Sequence, residues 1–199
     1  MTAPDFPIAR TIVDLLPADG EWTEAAYYFF SERGGIVELS NGRLEIGPMP
    51  NEIHQLILMR LSTALYLFVL QHNLGQVRVA PLPVRLWPGK VREPDIIFMA
   101  AEHADRIGKY WGLPDLVVEI ISEDDPKRDR VVKVEEYASA GIPEYWLVDP
   151  EAKTVDVLRL SEDVYQTAAH LAEKDALTSA TFPGFQFALA DLFAPAQQT

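Results

Sequence analysis

The stretch 92-REPDIIFM-99, followed after a polar break by 113-LPDLVVEIISEDDPKRDRVVKVEEYASAGIPEYWLVDP-150, decides how the rest of the chain is read. Leu116 to Ile121 is a nearly continuous apolar run, the pattern of a strand covered on both faces, yet Glu119 stands in the middle of it. Asp95 stands at the mouth of a second apolar strand over residues 94–99. An acid that interrupts a buried strand is costly unless it is paired or binds a metal. Alternate strand residues share a face, so Glu119 points the same way as Val117 and Ile121. For an isolated acid, an ion pair with Arg60 or Arg92 is the simpler account. A second acid on a neighbouring strand, with Lys133 downstream, favours a metal site instead. Two carboxylates and a lysine are the minimum set for metal-assisted hydrolysis of a phosphodiester. Mg²⁺ suits such a site because it takes few carboxylates, keeps several waters and binds phosphate oxygens directly.

Asp125-Pro126 starts a helix with proline at its first position, and Gly141 with Pro143 ends it. Asp129, Lys133 and Tyr137 are spaced i, i+4, i+8 and drift slowly around one side. The simplest account is a solvated face with an ordinary acid–lysine pair. The rival apolar face of Val131, Val134 and Ala138 lies opposite Lys133, and packing that face on a sheet would turn the lysine away from the acids. Periodicity leaves both arrangements open. His54 reads either as a core histidine at the edge of an apolar helix face or as a group aimed into the site, contacting phosphate or assisting proton transfer. Glu52 is better explained as a carboxylate favoured near a helix N-terminus. Glu38 is explained equally well by strand alternation. Gly-rich phosphate loops, HExxH and a nucleophile elbow are absent.

Outward from this stretch, 199 residues with 48% hydrophobic content fit one compact domain, 21–199, preceded by a Pro- and Asp-rich arm, 1–20. A short helix over Thr23 to Ser31 begins at a threonine N-cap and ends at Gly34-Gly35. Alternating strands around Asn41-Gly42 predict a hairpin with a type I′ turn. A long helix follows from about Glu52 to His72, closed by Asn73 and Gly75, with Ile53, Ile57, Leu61, Ala64, Leu65 and Phe68 on its buried face. Its polar residues, His54, Gln55, Arg60, Ser62 and Thr63, favour a buried helix over a membrane span. Two short strands, GQVRVA and LPVRLW, are joined by a turn at Pro81 to Pro83, and Pro88-Gly89-Lys90 turns into 94–99. Residues 101–112 are turn-like, YWLVD is a buried strand, VDVLRL and VYQTAAHL are edge strands of a meander, and FPGFQFALADLF closes the domain. The order predicts an α/β fold, a mixed sheet with helices on its faces.

The net charge of −13 argues against nucleic-acid binding, because duplex affinity is built on phosphate neutralisation. A metal at a carboxylate cluster reverses the local sign, and Arg92, Lys109, Lys127, Arg128, Arg130 and Lys133 lie close in sequence to the suspected centre. Zero cysteines exclude a disulfide framework and suit a reducing cytoplasm, and nothing at the start reads as a signal peptide.

Pro94-Asp95, Glu119 in VVEIIS, and Asp129-xxx-Lys133-xxx-Tyr137 before AGIPEYWLVDP resemble the Uma family of restriction-endonuclease-like proteins, a branch of the PD-(D/E)xK nuclease superfamily. The resemblance extends to the VELSNGRLEI hairpin, the helix with His54 and the FPGF…LADLF ending. It implies a restriction-endonuclease-like mixed sheet flanked by helices, and a Mg²⁺- or Mn²⁺-dependent endonuclease acting on DNA. Asp95 and Glu119 match the superfamily's two acids and would ligate the metal with the carbonyl of Ile120. The strand position expected to hold lysine is Ile121, and Lys133 on the next helix stands in the corresponding place. Lys133 would orient the attacking water, and His54 would support it. A homodimer is expected because duplex cutting needs two sites; a membrane partner is not. The alternatives are a catalytically silent binding or assembly module, or a nuclease acting on another phosphate ester such as RNA.

Overall fold

The computed structural model describes residues 16–32, 37–47, 49–122 and 127–196. Residues 1–15 of the expected arm, the Gly34-Gly35 stop and the Asp125-Pro126 start lie outside the described residues. Helix α1 (Glu24–Ser31) begins where the Thr23 side chain accepts from the Ala26 amide. The hairpin of β1 (Val37–Ser40) and β2 (Arg43–Ile46) turns on Asn41 and Gly42, both at positive φ. That is the backbone a two-residue primed turn requires. Helix α2 (Glu52–His72) is capped by the Asn51 side chain on the His54 amide and closed by left-handed Asn73.

Six strands form the central sheet in the order β10-β9-β8-β7-β6-β3. They are β3 (Gly75–Val79), β6 (Ile96–Ala100), β7 (Leu116–Ile120), β8 (Glu144–Asp149), β9 (Thr154–Ser161) and β10 (Val164–Ala172). Only β7 and β8 run parallel, and helix α3 (Lys133–Ala140) makes the crossover between them. The sheet is therefore mixed, with helices on its faces, as predicted. One face buries Ile57, Leu61, Leu65 and Val69 of α2, together with Phe182, Phe185 and the terminal helix α4 (Leu189–Leu192). The other face packs Tyr137, Ile142 and Tyr145 against Val84, Ile97 and Val117.

Three expectations are corrected. The long helix does not bury Ile53, which is 54% exposed, and buries Val69 in its place; Ile53 lies in the first turn, before the helix passes over the sheet. VDVLRL lies inside the sheet between β8 and β10, so of these two strands only β10 is an edge. The turn at Pro88-Gly89 leads first into an additional strand, β5 (Lys90–Arg92), hairpinned to β4 (Val84–Trp87). These two strands join β1 and β2 in a second, antiparallel sheet ordered β2-β1-β5-β4. The final segment supplies both a short strand, β12 (Phe187–Ala188), paired with β11 (Ala176–Leu177), and the helix α4.

The second sheet is fastened to α3 by charge. Arg92 is 1% exposed. It donates to Glu38 on β1 at 2.7 Å, to Glu45 on β2 at 2.5 Å and to both oxygens of Glu136 on α3 at 2.7 and 2.9 Å. Lys90 adds bonds of 2.6 Å to Ser40 and to Glu136. Arginine suits this position because its planar fork serves several carboxylates at once. Removing one member of a buried ion network strands the others without water, at a cost of about 3–5 kcal/mol. Arg92→Ala should lose that much stability in urea unfolding followed by tryptophan fluorescence. A loss below about 1 kcal/mol would show that the network carries no structural weight.

Candidate active site

A cleft of about 400 Å³ opens where β1, the first turn of α2, β6, β7 and the approach to α3 converge. Asp95, Glu119, Ile120, Lys133 and His54 all line it, so the expected metal pair, its carbonyl, the lysine and the histidine are brought to one place.

The β6–β7 ladder starts at the Ile96–Val118 pair, so Ile120 lies beyond its end. There the Asp95 side chain replaces the partner strand, its Oδ2 accepting from the Ile120 amide at 2.7 Å. In an extended residue the amide and carbonyl face the same neighbouring strand. The Ile120 carbonyl therefore faces the gap that holds Asp95. The same Asp95 oxygen lies 3.2 Å from His54 Nε2. A carboxylate only accepts, so Nε2 carries the proton. His54 Nδ1 is buried and has no hydrogen-bond partner among the described residues.

Lys133 does face the acids. Its ammonium lies 2.9 Å from Glu119, 3.1 Å from Asp129 and 3.9 Å from Glu38. The rival apolar face forms only in part: Val131 is 43% exposed, while Val134 packs on the core and Ala138 is buried alongside Lys133 and Tyr137. The reason is a widened turn over Arg128–Val132, in which the Lys133 amide reaches back five residues to the Arg128 carbonyl. One extra residue in a turn shifts the phase of everything after it. A uniform helical wheel therefore misplaces the faces, while the true register puts Asp129, Lys133 and Tyr137 on the buried side. Neither Arg60 nor Arg92 pairs with Glu119. Arg60 donates to the carbonyls of Leu192, Ala194 and Pro195, and Arg92 serves the network above.

Three further residues belong to the constellation. Tyr137 donates to the second oxygen of Glu119 at 2.5 Å. Asp129 is 6% and Glu38 4% exposed. The sequence shows Glu38 and Asp129 only as acids that ordinary strand and helix patterns already explain, and Tyr137 only as the next position along a helical side. Glu93 is also buried in the cleft wall, accepting from Tyr27 at 3.1 Å. Its one sequence signal is the acid pair around Pro94. Glu52 is exposed and stays outside the cleft lining.

Several carboxylates share one ammonium, and their protonation follows. Burial opposes the charge on Lys133, but Glu119, Glu38, Asp129 and Asp95 outweigh it and raise its pKa. Burial alone would raise Glu38; Lys133, Arg92 and Arg128 overcome it and hold the group at about 2. At Glu119 burial wins. Lys133 pulls its pKa down, Asp95, Asp129 and Glu38 push it up, and the carboxyl sits at about 8. Tyr137 is raised well above the phenol range, first by burial and then by Glu119, so it remains a donor.

A mixed sheet with two acids at the ends of adjacent strands, served by a lysine from a flanking helix, defines a restriction-endonuclease-like fold. The chain belongs to the Uma2 family, described as "Putative restriction endonuclease", which matches residues 23–190. This is a nuclease family. The fold is shared with the crystal structure of "a putative nuclease belonging to DUF820" from Anabaena variabilis. The TM-score is 0.70 at 22% identity, over 83% of this chain and 95% of that one. No curated protein matches the chain.

A carboxyl whose folded pKa exceeds its unfolded value binds more protons when folded, so stability falls as pH rises between the two values. For Glu119 that window runs from 4.5 to about 8. The slope of unfolding free energy against pH over 5–8 should be negative in wild type and shallower in Glu119→Gln, by up to about 1.4 kcal/mol per pH unit. Glu93, raised to about 7 chiefly by burial, leaves a residual slope in both proteins. Parallel slopes in urea titrations would contradict the assignment.

Proposed function

We propose that the cleft hydrolyses phosphodiester bonds of DNA with Mg²⁺ or Mn²⁺ held by Asp95, Glu119 and the carbonyl of Ile120. The observation that carries this reading is Lys133: an ammonium 2.9 Å from Glu119, delivered by a helix into a cleft that also gathers Glu38, Asp95 and Asp129. The donor set is all hard oxygen, which favours Mg²⁺ or Mn²⁺ over zinc or copper. Among the described residues no three His, Cys, Asp or Glu side chains form a metal cage. That suits an ion that takes one or two carboxylates and keeps its waters. The raised pKa of Glu119 points the same way, because the buried acids exceed the cations that face them.

Such an ion, when bound, polarises a phosphate and lowers the pKa of a bound water. Lys133, held protonated by its acidic neighbours, cannot act as a base. It orients the attacking water and stabilises negative charge developing on the phosphate. Asp129 and Tyr137 are positioning residues, one fixing the ammonium and the other the Glu119 carboxyl. His54 is a further positioning residue, holding the Asp95 carboxylate through Nε2.

Of the six cations near the site in sequence, five are committed to acids. Arg92, Arg128 and Lys133 are paired with buried acids, Arg130 with Asp149 and Lys109 with Glu32. DNA binding by a chain of net charge −13 then depends on the metal to reverse the local sign.

Plasmid nicking in Mg²⁺ or Mn²⁺ tests the reading. Asp95→Ala, Glu119→Ala and Lys133→Ala should each lose at least about 100-fold in rate. In calorimetric titration, Asp95→Ala should lose metal affinity and Lys133→Ala should keep it. Equal rates for all four proteins, or a wild type that binds metal and cuts nothing, would overturn the enzymatic reading in favour of a silent binding module. Preferential cutting of an RNA of the same sequence would reassign the substrate.

A further inference from the structure

Helix α2 leaves much of its apolar surface outside the core. It is long and apolar enough to span a membrane by length and composition, yet only 22% of its most apolar stretch is buried. On the outer side, Met59, Tyr66, Leu67 and Leu70 are 66, 49, 57 and 58% exposed. Leu56, half-buried, and Thr63, exposed, complete the stripe. Together these side chains present several hundred Å² of apolar surface, the range in which an exposed patch marks an interaction site.

The spacing says what covers it. Leu56, Met59, Thr63, Tyr66 and Leu70 are separated by three, four, three and four residues, the seam of a helix that packs along another helix. The seam is also nearly palindromic about Thr63. Seven residues to either side stand Leu56 and Leu70, and four to either side Met59 and Leu67. About a two-fold axis at Thr63 residue i meets j while j meets i, so Leu56 faces the partner copy's position 70 and Met59 its position 67, apolar on apolar.

Charge complements the shape. Between Ile53 and Gln71 the one charged residue is Arg60, and it is turned away to the carbonyls of Leu192, Ala194 and Pro195. A chain of net charge −13 repels its copies everywhere except on a face such as this. In an antiparallel pair the two helix dipoles oppose favourably. A lipid surface fits poorly, since an interfacial helix carries Lys and Arg on its polar side.

We propose that α2 is the interface of a homodimer, packed antiparallel against α2 of a second copy with the two-fold axis at Thr63. A shallow groove of about 270 Å³ between α2 and edge strand β3, walled by Thr63, Tyr66 and Val79, lies beside that axis. It gives the partner's side chains a place to settle.

Sedimentation equilibrium should give twice the 22.3 kDa chain mass for wild type. Met59→Glu and Leu67→Lys, each made at an exposed position, should each give the single-chain mass with unchanged circular dichroism and melting. The double variant should recover the dimer, because each glutamate then faces a lysine. The chain has no native cysteine, so oxidised Thr63→Cys should link two copies in high yield. A single-chain mass for wild type at every concentration would overturn the proposal, as would single variants that stay dimeric. Failure of the double variant to recover, or of Thr63→Cys to cross-link, would overturn the antiparallel register. A monomer that sediments with neutral phosphatidylcholine vesicles would assign the face to lipid instead.

Discussion

Lys133 carries a full positive charge to a position where only 7% of the residue meets solvent. An isolated ammonium could not stay charged there. It does so because Glu119, Asp129 and Glu38 arrive from a strand of the central sheet, from the helix itself and from a strand of the second sheet. Each acid in turn needs the cation. The demand propagates outward, since Glu38 also accepts from Arg92 and Arg128, and Arg92 reaches on to Glu136. The second sheet, α3 and the central sheet are thus bound by one chain of buried charges. The apolar clusters fill the space between the layers; the charges fix how the layers meet.

That arrangement explains which parts of the fold were legible beforehand. Strand β7 reads clearly because five apolar or buried positions in a row have few other uses, and Glu119 stands out against them. The Asn41-Gly42 turn and the Asn51 and Asn73 caps are equally plain, since backbone geometry restricts the residues that fit. Strand β5 is invisible for the opposite reason. Lys90-Val91-Arg92 looks like a surface turn, and nothing local announces that both cations are buried. Glu38 is hidden in the same way: VELS alternates as a one-sided strand would, yet all four residues are buried.

Lys133 is the instructive case. A regular wheel turns it away from the acids, and family resemblance alone favours the opposite face. The resolution lies in a backbone irregularity that a fixed period cannot represent. Position 53 is a milder instance, since a correct helical phase does not say where along its length the helix meets the sheet. In each case the local pattern is right and the tertiary partner decides what it means.

The widened turn over Arg128–Val132 has a consequence for how such a chain can change. The orientation of Lys133 and Tyr137 is set by the number of residues before them as much as by their identity. Loss of one residue there would restore a regular helix and swing both side chains about 100° around its axis. The lysine would leave Glu119 while every side chain of the site remained in the sequence. Insertions and deletions in this short segment therefore act as a phase control. Two relatives with identical site residues and different segment lengths would not carry the same site.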